Sequence, residues 1–229
     1  KNSLTGYVLS QLSEFHTGLT FAATKIVRVT RMLAEEHYSE HRGKFFFPAL
    51  VEMITGQLHF PQEPARQRTI AIVYQGPGAI QKVRDICGPT NPHVAREEKP
   101  GCIRSLGTVI ELRDSKGESI GNRMDNLIHA SANAPEAERE IKLWFKPDDF
   151  PPGTRAFPVS LSSEHFYFRD NRLLRTYEPG SVCLLAPGDA VWESDLNALN
   201  SLYNGQPSTI PLNEVISKYL LNRQLSLEW

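Results

Sequence analysis

The sequence has few cysteines, no long apolar run and almost no net charge, and each shortage argues against a class of protein. Three cysteines without a CxxC pair argue against a disulfide framework or a zinc site and are typical of a reducing compartment. The longest apolar stretches, such as 45–51 and 69–74, are far shorter than the ~20 residues that span a bilayer, and no signal peptide opens the chain. A net charge of −1 provides no field to hold a polyanion. We therefore predict a cytoplasmic protein that binds neither membranes nor specific nucleic acids.

What the sequence does contain is enough apolar material for a folded core. It has 229 residues, of which 40% are hydrophobic and 22% charged, which is ordinary for a globular protein. This length exceeds one typical domain of about 100–150 residues. Four prolines between positions 147 and 158 mark a break in organisation. We predict a domain over 1–149 and a C-terminal extension of unknown role over 150–229.

The order of elements in the first 149 residues predicts an α+β fold. Apolar spacing and capping residues indicate helices over 4–18, 30–41, 48–56, 79–87 and from Asn133 onward, and β-branched runs indicate strands over 19–29, 69–74 and 125–129. The stretch 89–123 is rich in proline and glycine and reads as irregular, with only 109–112 extended. This order matches a ferredoxin-like βαββαβ sandwich whose first strand is absent from the chain.

The extension reads as a small α+β unit. A hairpin is predicted from 165–168 and 173–177 around Asp170-Asn171, and a helix over 211–221. The extension either packs on its own domain or serves oligomer assembly or partner binding, and the sequence leaves both open.

One candidate cluster for chemistry is His129, Ser131 and Glu140. A histidine at the end of a predicted strand would share a side of the backbone with the hydroxyl two residues on. A carboxylate on the following helix could orient the imidazole and fix its tautomer. The alternative is a structural histidine beside a helix N-terminus.

A second cluster surrounds the irregular stretch: Arg84, Thr90, Asn91 and Arg104. Two guanidinium groups and a hydroxyl could hold a polyphosphate, because the arginine fork matches phosphate oxygens. Taken alone, each arginine is more typical of a solvated surface, Arg84 on a helix face and Arg104 on a loop.

A third cluster is aromatic, with Tyr38 followed by Phe45, Phe46 and Phe47. Three consecutive phenylalanines cannot all face one core, so one could stack on a nucleotide base or form a subunit contact.

These residues lie within motifs that resemble one family. Residues 1–147 resemble a nucleoside diphosphate kinase. The motifs, all in the family's order, are EHY at 36–38, FFPALV at 46–51, GPTNP at 88–92, KPGCIR at 99–104, NLIHAS at 126–131 and AEREIKLWF at 137–145.

The resemblance implies a role for each candidate residue. His129 would accept the phosphoryl group, and Ser131 and Glu140 would hold it in place. The nucleotide-binding positions would be Tyr38 at the phosphate end, Phe46 and Leu50 at the base, Arg84, Thr90 and Arg104 at the phosphates, and Asn126 at the sugar.

The resemblance also implies the reaction. A nucleoside triphosphate would phosphorylate His129, and a nucleoside diphosphate would then take the phosphoryl group, in a ping-pong mechanism that balances nucleoside triphosphate pools. Mg²⁺ would be the cofactor, held by the substrate phosphates and not by a protein metal site, in keeping with the absence of an acidic cluster. Members of the family are homo-oligomers, which implies the same here.

The match departs from the family in three places. The family's opening strand and its lysine are not in the chain, which begins at the first helix. Residues 58–68 and 112–124 look like insertions. The missing lysine and the unexplained extension leave open a catalytically weak nucleotide-binding or scaffold module, and phosphotransfer from the histidine to other proteins would use the same residues.

Overall fold

The computed structural model describes residues 4–221, and its N-terminal region is helical as the sequence predicts. The predicted first helix is divided into α1 (Leu4–Gln11) and α2 (Glu14–Thr17). The division falls at Ser13, whose hydroxyl accepts a hydrogen bond from the His16 N–H and so begins a new turn. Within residues 4–221, no helix is long and apolar enough to cross a membrane.

Two antiparallel strands follow the predicted β-branched runs. They are β1 (Thr20–Val27) and β2 (Thr69–Gln75), in a register that places Thr24 opposite Ile72. Ala23 and Val73 are buried in the main core. Across the described residues this sheet contains β1 and β2 alone.

Five helices surround this sheet in the chain, and two of them begin at capping residues that the sequence predicts. The five are α3 (Arg31–His37), α4 (Phe47–Ile54), α5 (Ala79–Cys87) and α7 (Ala134–Trp144), with α6 (Pro92–Glu98) between α5 and α7. The Thr30 hydroxyl accepts from the Leu33 N–H at the start of α3, and the Asn133 side chain accepts from the Glu136 N–H at the start of α7. Both predicted caps are confirmed.

The prediction that the stretch 89–123 is irregular is wrong, although its extended part, 109–112, is confirmed. This stretch contains α6, a 3₁₀ turn over Ile103–Leu106, and most of a hairpin formed by β3 (Thr108–Arg113) and β4 (Ser119–Asp125). The Asn91 side chain caps α6 and Pro92 occupies its first turn, so the proline starts a helix here and does not break one.

The predicted strand over 125–129 is also wrong. Asp125 ends β4, and residues 126–130 have no regular structure. Leu127 has a φ of 71°, a left-handed conformation that an extended strand cannot contain. His129 therefore lies in an irregular segment just before α7.

As far as residue 221, the extension forms two small sheets and two helices. Its elements are β5 (Val159–Leu161) paired with β9 (Ala190–Trp192), β6 (Phe166–Arg169) between β7 (Arg172–Leu174) and β8 (Val182–Leu185), then α8 (Glu193–Tyr203) and α9 (Leu212–Ile216). The β6–β7 hairpin turns at Asp170 and Asn171, both with positive φ, as predicted. The predicted helix over 211–221 is shorter than expected, because α9 passes into a 3₁₀ turn at Ser217.

The extension shares its core with the first 150 residues. Trp192 is fully buried in the same apolar cluster as Leu143 and Phe145, and its indole N–H donates to the Phe145 carbonyl at 2.7 Å. A second cluster around Phe166 and Leu199 continues into α9, and α9 lies against α3 and α7. The extension therefore packs against α3 and α7 through α9.

Candidate active site

A single carboxylate joins His129 to Ser131. Glu140, on α7, accepts from Nε2–H of His129 at 2.7 Å through Oε1, and from the Ser131 hydroxyl at 2.5 Å through Oε2. The sequence argument placed the histidine and serine side by side on a strand, which is not how the structure joins them. They meet because α7 begins at residue 134 and carries the carboxylate back over the irregular segment.

The tautomer of His129 follows from this contact. Burial favours the neutral form of Glu140, but its hydrogen bonds and the nearby imidazoles outweigh burial and lower its pKa. A charged carboxylate accepts a hydrogen bond from Nε2–H, which leaves the lone pair on Nδ1. The His129 side chain is 36% exposed. The contact with Glu140 therefore orients the imidazole and leaves Nδ1 as the nitrogen available to a substrate.

Two aromatic side chains from the end of α3 line the buried side of His129. The Tyr38 ring lies 6.2 Å from the His129 ring, and burial, followed by the charge of Glu140, raises the pKa of Tyr38 to about 12. The His37 ring is closer, with centroids 4.5 Å apart. Sequence reasoning assigned no role to His37, because only the packing of α3 on α7 brings it to the site.

The two predicted arginines lie beside the segment that carries His129. Arg84 Nη1 donates to the Ala130 carbonyl at 3.5 Å. Arg104 is only 4% exposed and donates to the carbonyls of Ile128 and Gly88. Burial lowers the pKa of Arg104. Both cations therefore hold the backbone around His129, and Arg104 commits three of its five N–H donors to it.

The remaining predicted nucleotide-binding residues lie on two sides of the site. The Asn126 side chain donates to the Thr90 carbonyl at 3.1 Å, which ties the turn before α6 to the segment before His129. Half-buried Phe46 is joined to the site by a row of rings through His41 and Tyr38, with centroid separations of 5.5 Å and 6.2 Å. Leu50 is half-buried on α4, one turn after Phe46.

The protein side chains offer a poor site for Mg²⁺. Within the described residues, one group of three potential ligands is close enough to share an ion: His37, His129 and Glu140, whose donor atoms lie within 4.8 Å of one another. Mg²⁺ prefers an octahedron of oxygen ligands, whereas two of these three are imidazoles. A magnesium ion would need its oxygens from elsewhere, as from a phosphate chain.

An accessible imidazole nucleophile, oriented by a carboxylate and bordered by two guanidinium groups, is typical of an enzyme that transfers phosphoryl groups through a covalent intermediate. The comparisons agree with this class. The family model described as "Nucleoside diphosphate kinase" matches residues 1–150, and the chain belongs to this family.

Individual relatives extend the comparison. A nucleoside diphosphate kinase of Thermococcus kodakarensis is 32% identical over 181 residues, which cover 79% of this chain and 87% of the relative. One from Thermus thermophilus is 35% identical over 150 residues, covering 65% of this chain and 89% of the relative. The crystal structure of the Aquifex aeolicus nucleoside diphosphate kinase matches with a TM-score of 0.50 and 29% identity, over 66% of this chain and 89% of that one. The resemblance and the α+β ferredoxin-like fold class are confirmed.

The buried His37 makes a testable contribution to acid sensitivity. Burial, and then the charge of His129, lower the pKa of His37 from 6.5 to about 3. Between these values the unfolded chain binds a proton that the folded chain does not, so the free energy of unfolding decreases as pH falls. We expect this one group to remove about 2 kcal/mol between pH 7 and pH 5.

Urea unfolding at both pH values measures this loss, and His37→Asn, which cannot titrate, is the matched control. The variant should show a smaller loss than the unaltered chain over the same interval. An equal loss in both proteins would show that other groups cause the acid sensitivity.

Proposed function

We propose that this protein transfers the γ-phosphoryl group of a nucleoside triphosphate to a nucleoside diphosphate through phosphohistidine at His129. The observation that carries the proposal is the 2.7 Å contact between His129 Nε2 and the Glu140 carboxylate, which leaves Nδ1 as a nucleophile. Nδ1 attacks the γ-phosphorus, the bond from phosphorus to the bridging oxygen breaks, and the diphosphate leaves. A second diphosphate then attacks the same phosphorus through a terminal oxygen and breaks the N–P bond.

The carboxylate of Glu140 stabilises this cycle electrostatically. The attacking imidazole becomes positively charged as the N–P bond forms, and the adjacent negative charge of Glu140 offsets that change. Ser131 holds the second carboxylate oxygen, so Glu140 cannot rotate away. This hydrogen-bonded arrangement favours turnover over the scaffold alternative, which would require no such arrangement.

The nucleotide would lie between the two arginines and the aromatic row. We assign Arg84, Thr90 and Arg104 to the phosphates, with Arg104 contributing its charge and its two uncommitted N–H donors. We assign Asn126 to the sugar and Tyr38 to the phosphate end. Phe46 would stack on the base, with Leu50 as its apolar neighbour.

We propose Mg²⁺ as the divalent cation of the reaction, held by the substrate phosphates. When bound, it would reduce the negative charge that the phosphoryl group presents to the nucleophile. The donor set at His129 supports this proposal, because it offers Mg²⁺ a single carboxylate that is already bonded to Ser131 and His129.

Incubation with γ-labelled ATP tests the proposed function. We expect a labelled protein whose label is labile to acid and stable to base, and which releases labelled GTP when GDP is added. Retention of the nucleotide without any labelled protein would favour a binding module. A label stable to acid would place the phosphoryl group on a hydroxyl and contradict His129.

The aromatic row gives a separate prediction about affinity. Phe46→Ala should raise KM for nucleotides about tenfold or more with a smaller effect on kcat, because a stacked base contributes about 1–3 kcal/mol. Phe45→Ala is the matched control, since Phe45 is 60% exposed. Steady-state kinetics on both variants measure the difference, and an equal change in KM would remove Phe46 from the base site.

We also propose that the protein is a homo-oligomer in a reducing compartment such as the cytoplasm. Ile26 and Ile70 face each other across β1 and β2 and are both exposed, which leaves an apolar surface on the sheet. Cys87 and Cys102 are buried thiols that form no disulfide. Light scattering during gel filtration tests the oligomeric state, and a monomer at micromolar concentration would contradict it.

A further inference from the structure

A second imidazole lies directly behind the nucleophile. The His37 ring meets the His129 ring edge-on at 81°, and His37 Nδ1 is 3.7 Å from Oε1 of Glu140. His37 is 5% exposed, so water does not compete for it. Oε1 of Glu140 therefore lies near two histidines, and the proposed reaction requires that it bind His129.

The tautomer of His37 is fixed by a tryptophan. The indole N–H of Trp144 donates to His37 Nδ1 at 3.2 Å, in a buried contact between α7 and α3. An indole N–H can only donate, so Nδ1 must carry the lone pair and the ring proton must be on Nε2. His37 Nε2 is buried without a hydrogen-bond partner among the described residues. The ring proton of His37 is therefore on Nε2, although no described group accepts a hydrogen bond from that atom.

This tautomer prevents His37 from donating a hydrogen bond to Glu140. With Nδ1 unprotonated, the nitrogen and the carboxylate oxygen are both acceptors and form no hydrogen bond. A proton on Nδ1 would turn the same 3.7 Å contact into a donor–acceptor pair, in competition with His129 for Oε1. The bond from Trp144 prevents this.

We propose that Trp144 is a positioning residue for the phosphotransfer reaction. It acts through His37, whose Nδ1 it occupies, and so reserves the Glu140 carboxylate for the nucleophile. This inference rests on the proposed function of His129, but its structural core, the tautomer of a buried histidine, does not.

The charged groups around His37 are consistent with a neutral ring. Two groups on α7 and three groups elsewhere face it: Arg139 and Glu140, then Tyr38, His41 and His129. Arg139 donates to the carbonyls of Glu36 and His37, which places a fixed positive charge beside the ring. Glu140 is the one of these groups that favours the imidazolium, and it is already bonded to His129. Removing the indole N–H would change this balance.

The test compares Trp144→Phe, His37→Leu and the double variant by the rate of protein labelling from γ-labelled ATP. Trp144→Phe should lower the rate about tenfold at both pH 6 and pH 8, because the neutral His37 ring can then carry its proton on Nδ1 in place of Nε2 and bind Glu140. The double variant, in which both partners are apolar, should recover to within about threefold of the unaltered protein. A tryptophan that only fills space would leave the double variant slower than Trp144→Phe, and that result would overturn the proposal.

Nitrogen NMR of the imidazoles provides a readout that needs no turnover. In the unaltered protein His37 Nδ1 should be unprotonated from pH 5 to pH 8, and in Trp144→Phe it should carry a proton. A protonated Nδ1 in the unaltered protein would refute the proposal even if labelling is normal, whereas an unlabelled protein with the expected spectrum would refute only the proposed function. If Trp144→Phe does not fold, benzothienylalanine at position 144 retains the ring shape without the N–H and replaces it in both measurements.

Discussion

His129→Ala is expected to abolish labelling from γ-labelled ATP and to lower nucleotide phosphotransfer by about 10⁴-fold or more. The reason is chemical, because the variant lacks the nitrogen that forms the N–P bond. Neither neighbouring group can replace it: the Ser131 hydroxyl is bonded to Glu140, and His37 is buried. The nucleotide-binding residues are unchanged, so binding of a nucleoside diphosphate should persist.

His165→Ala is the matched control for this prediction. His165 is an exposed histidine of the extension, stacked on Tyr167 and remote in sequence from the motifs of the site. It should label at the rate of the unaltered protein. Undiminished labelling of His129→Ala, with a normal unfolding midpoint, would sink the assignment of His129.

The parts of the fold that the sequence predicted well depend on local signals. Thr30 and Asn133 predict the helices that they cap. Each short polar side chain accepts a hydrogen bond from the backbone N–H three residues on, so the signal lies within a few positions of the sequence. The strands β1 and β2 follow from β-branched runs in the same way. Asn91-Pro92 carries a helix-start signal too, but its setting among other prolines and glycines made it read as a break.

In the candidate site, too, the features that were predicted correctly depend on local signals, and those that were missed depend on the backbone or on tertiary packing. The expectation that a carboxylate on the following helix orients His129 agrees with the contact to Glu140, because residue 140 lies two turns into α7. The predicted strand geometry failed at Leu127, whose left-handed backbone no local pattern indicated. His37 was missed because its partner Trp144 is 107 positions away, and only tertiary packing brings them together.

Arg104 shows a further limit of residue types as evidence. An arginine in a glycine- and proline-rich stretch suggests an anion site, and the family resemblance strengthens the suggestion. Arg104 also donates hydrogen bonds to the carbonyls of Gly88 and Ile128 and so holds the backbone before His129. No sequence motif indicates this structural role. A substitution there would therefore change both the charge and the position of the nucleophile.

Trp192→Ala is expected to lower the free energy of unfolding by about 3–5 kcal/mol. Trp192 is fully buried against Phe150 and Phe157, and its indole N–H donates to the Phe145 carbonyl at the end of α7. Removing the ring leaves a large cavity and an unsatisfied buried carbonyl. Tyr177→Ala, at a ring that is 65% exposed, is the matched control and should change stability by less than about 0.5 kcal/mol.

The same variant decides whether the boundary near residue 150 separates independent units. Trp192 belongs to one apolar cluster with Leu143 and Trp144, so loss of its side chain should weaken the extension and the site together. Urea unfolding followed in parallel by protein labelling and by circular dichroism should give one shared midpoint, shifted to lower urea in Trp192→Ala. Labelling that survives beyond the loss of the extension's structure would instead mean that 1–149 folds alone, and that the extension only covers a domain already complete.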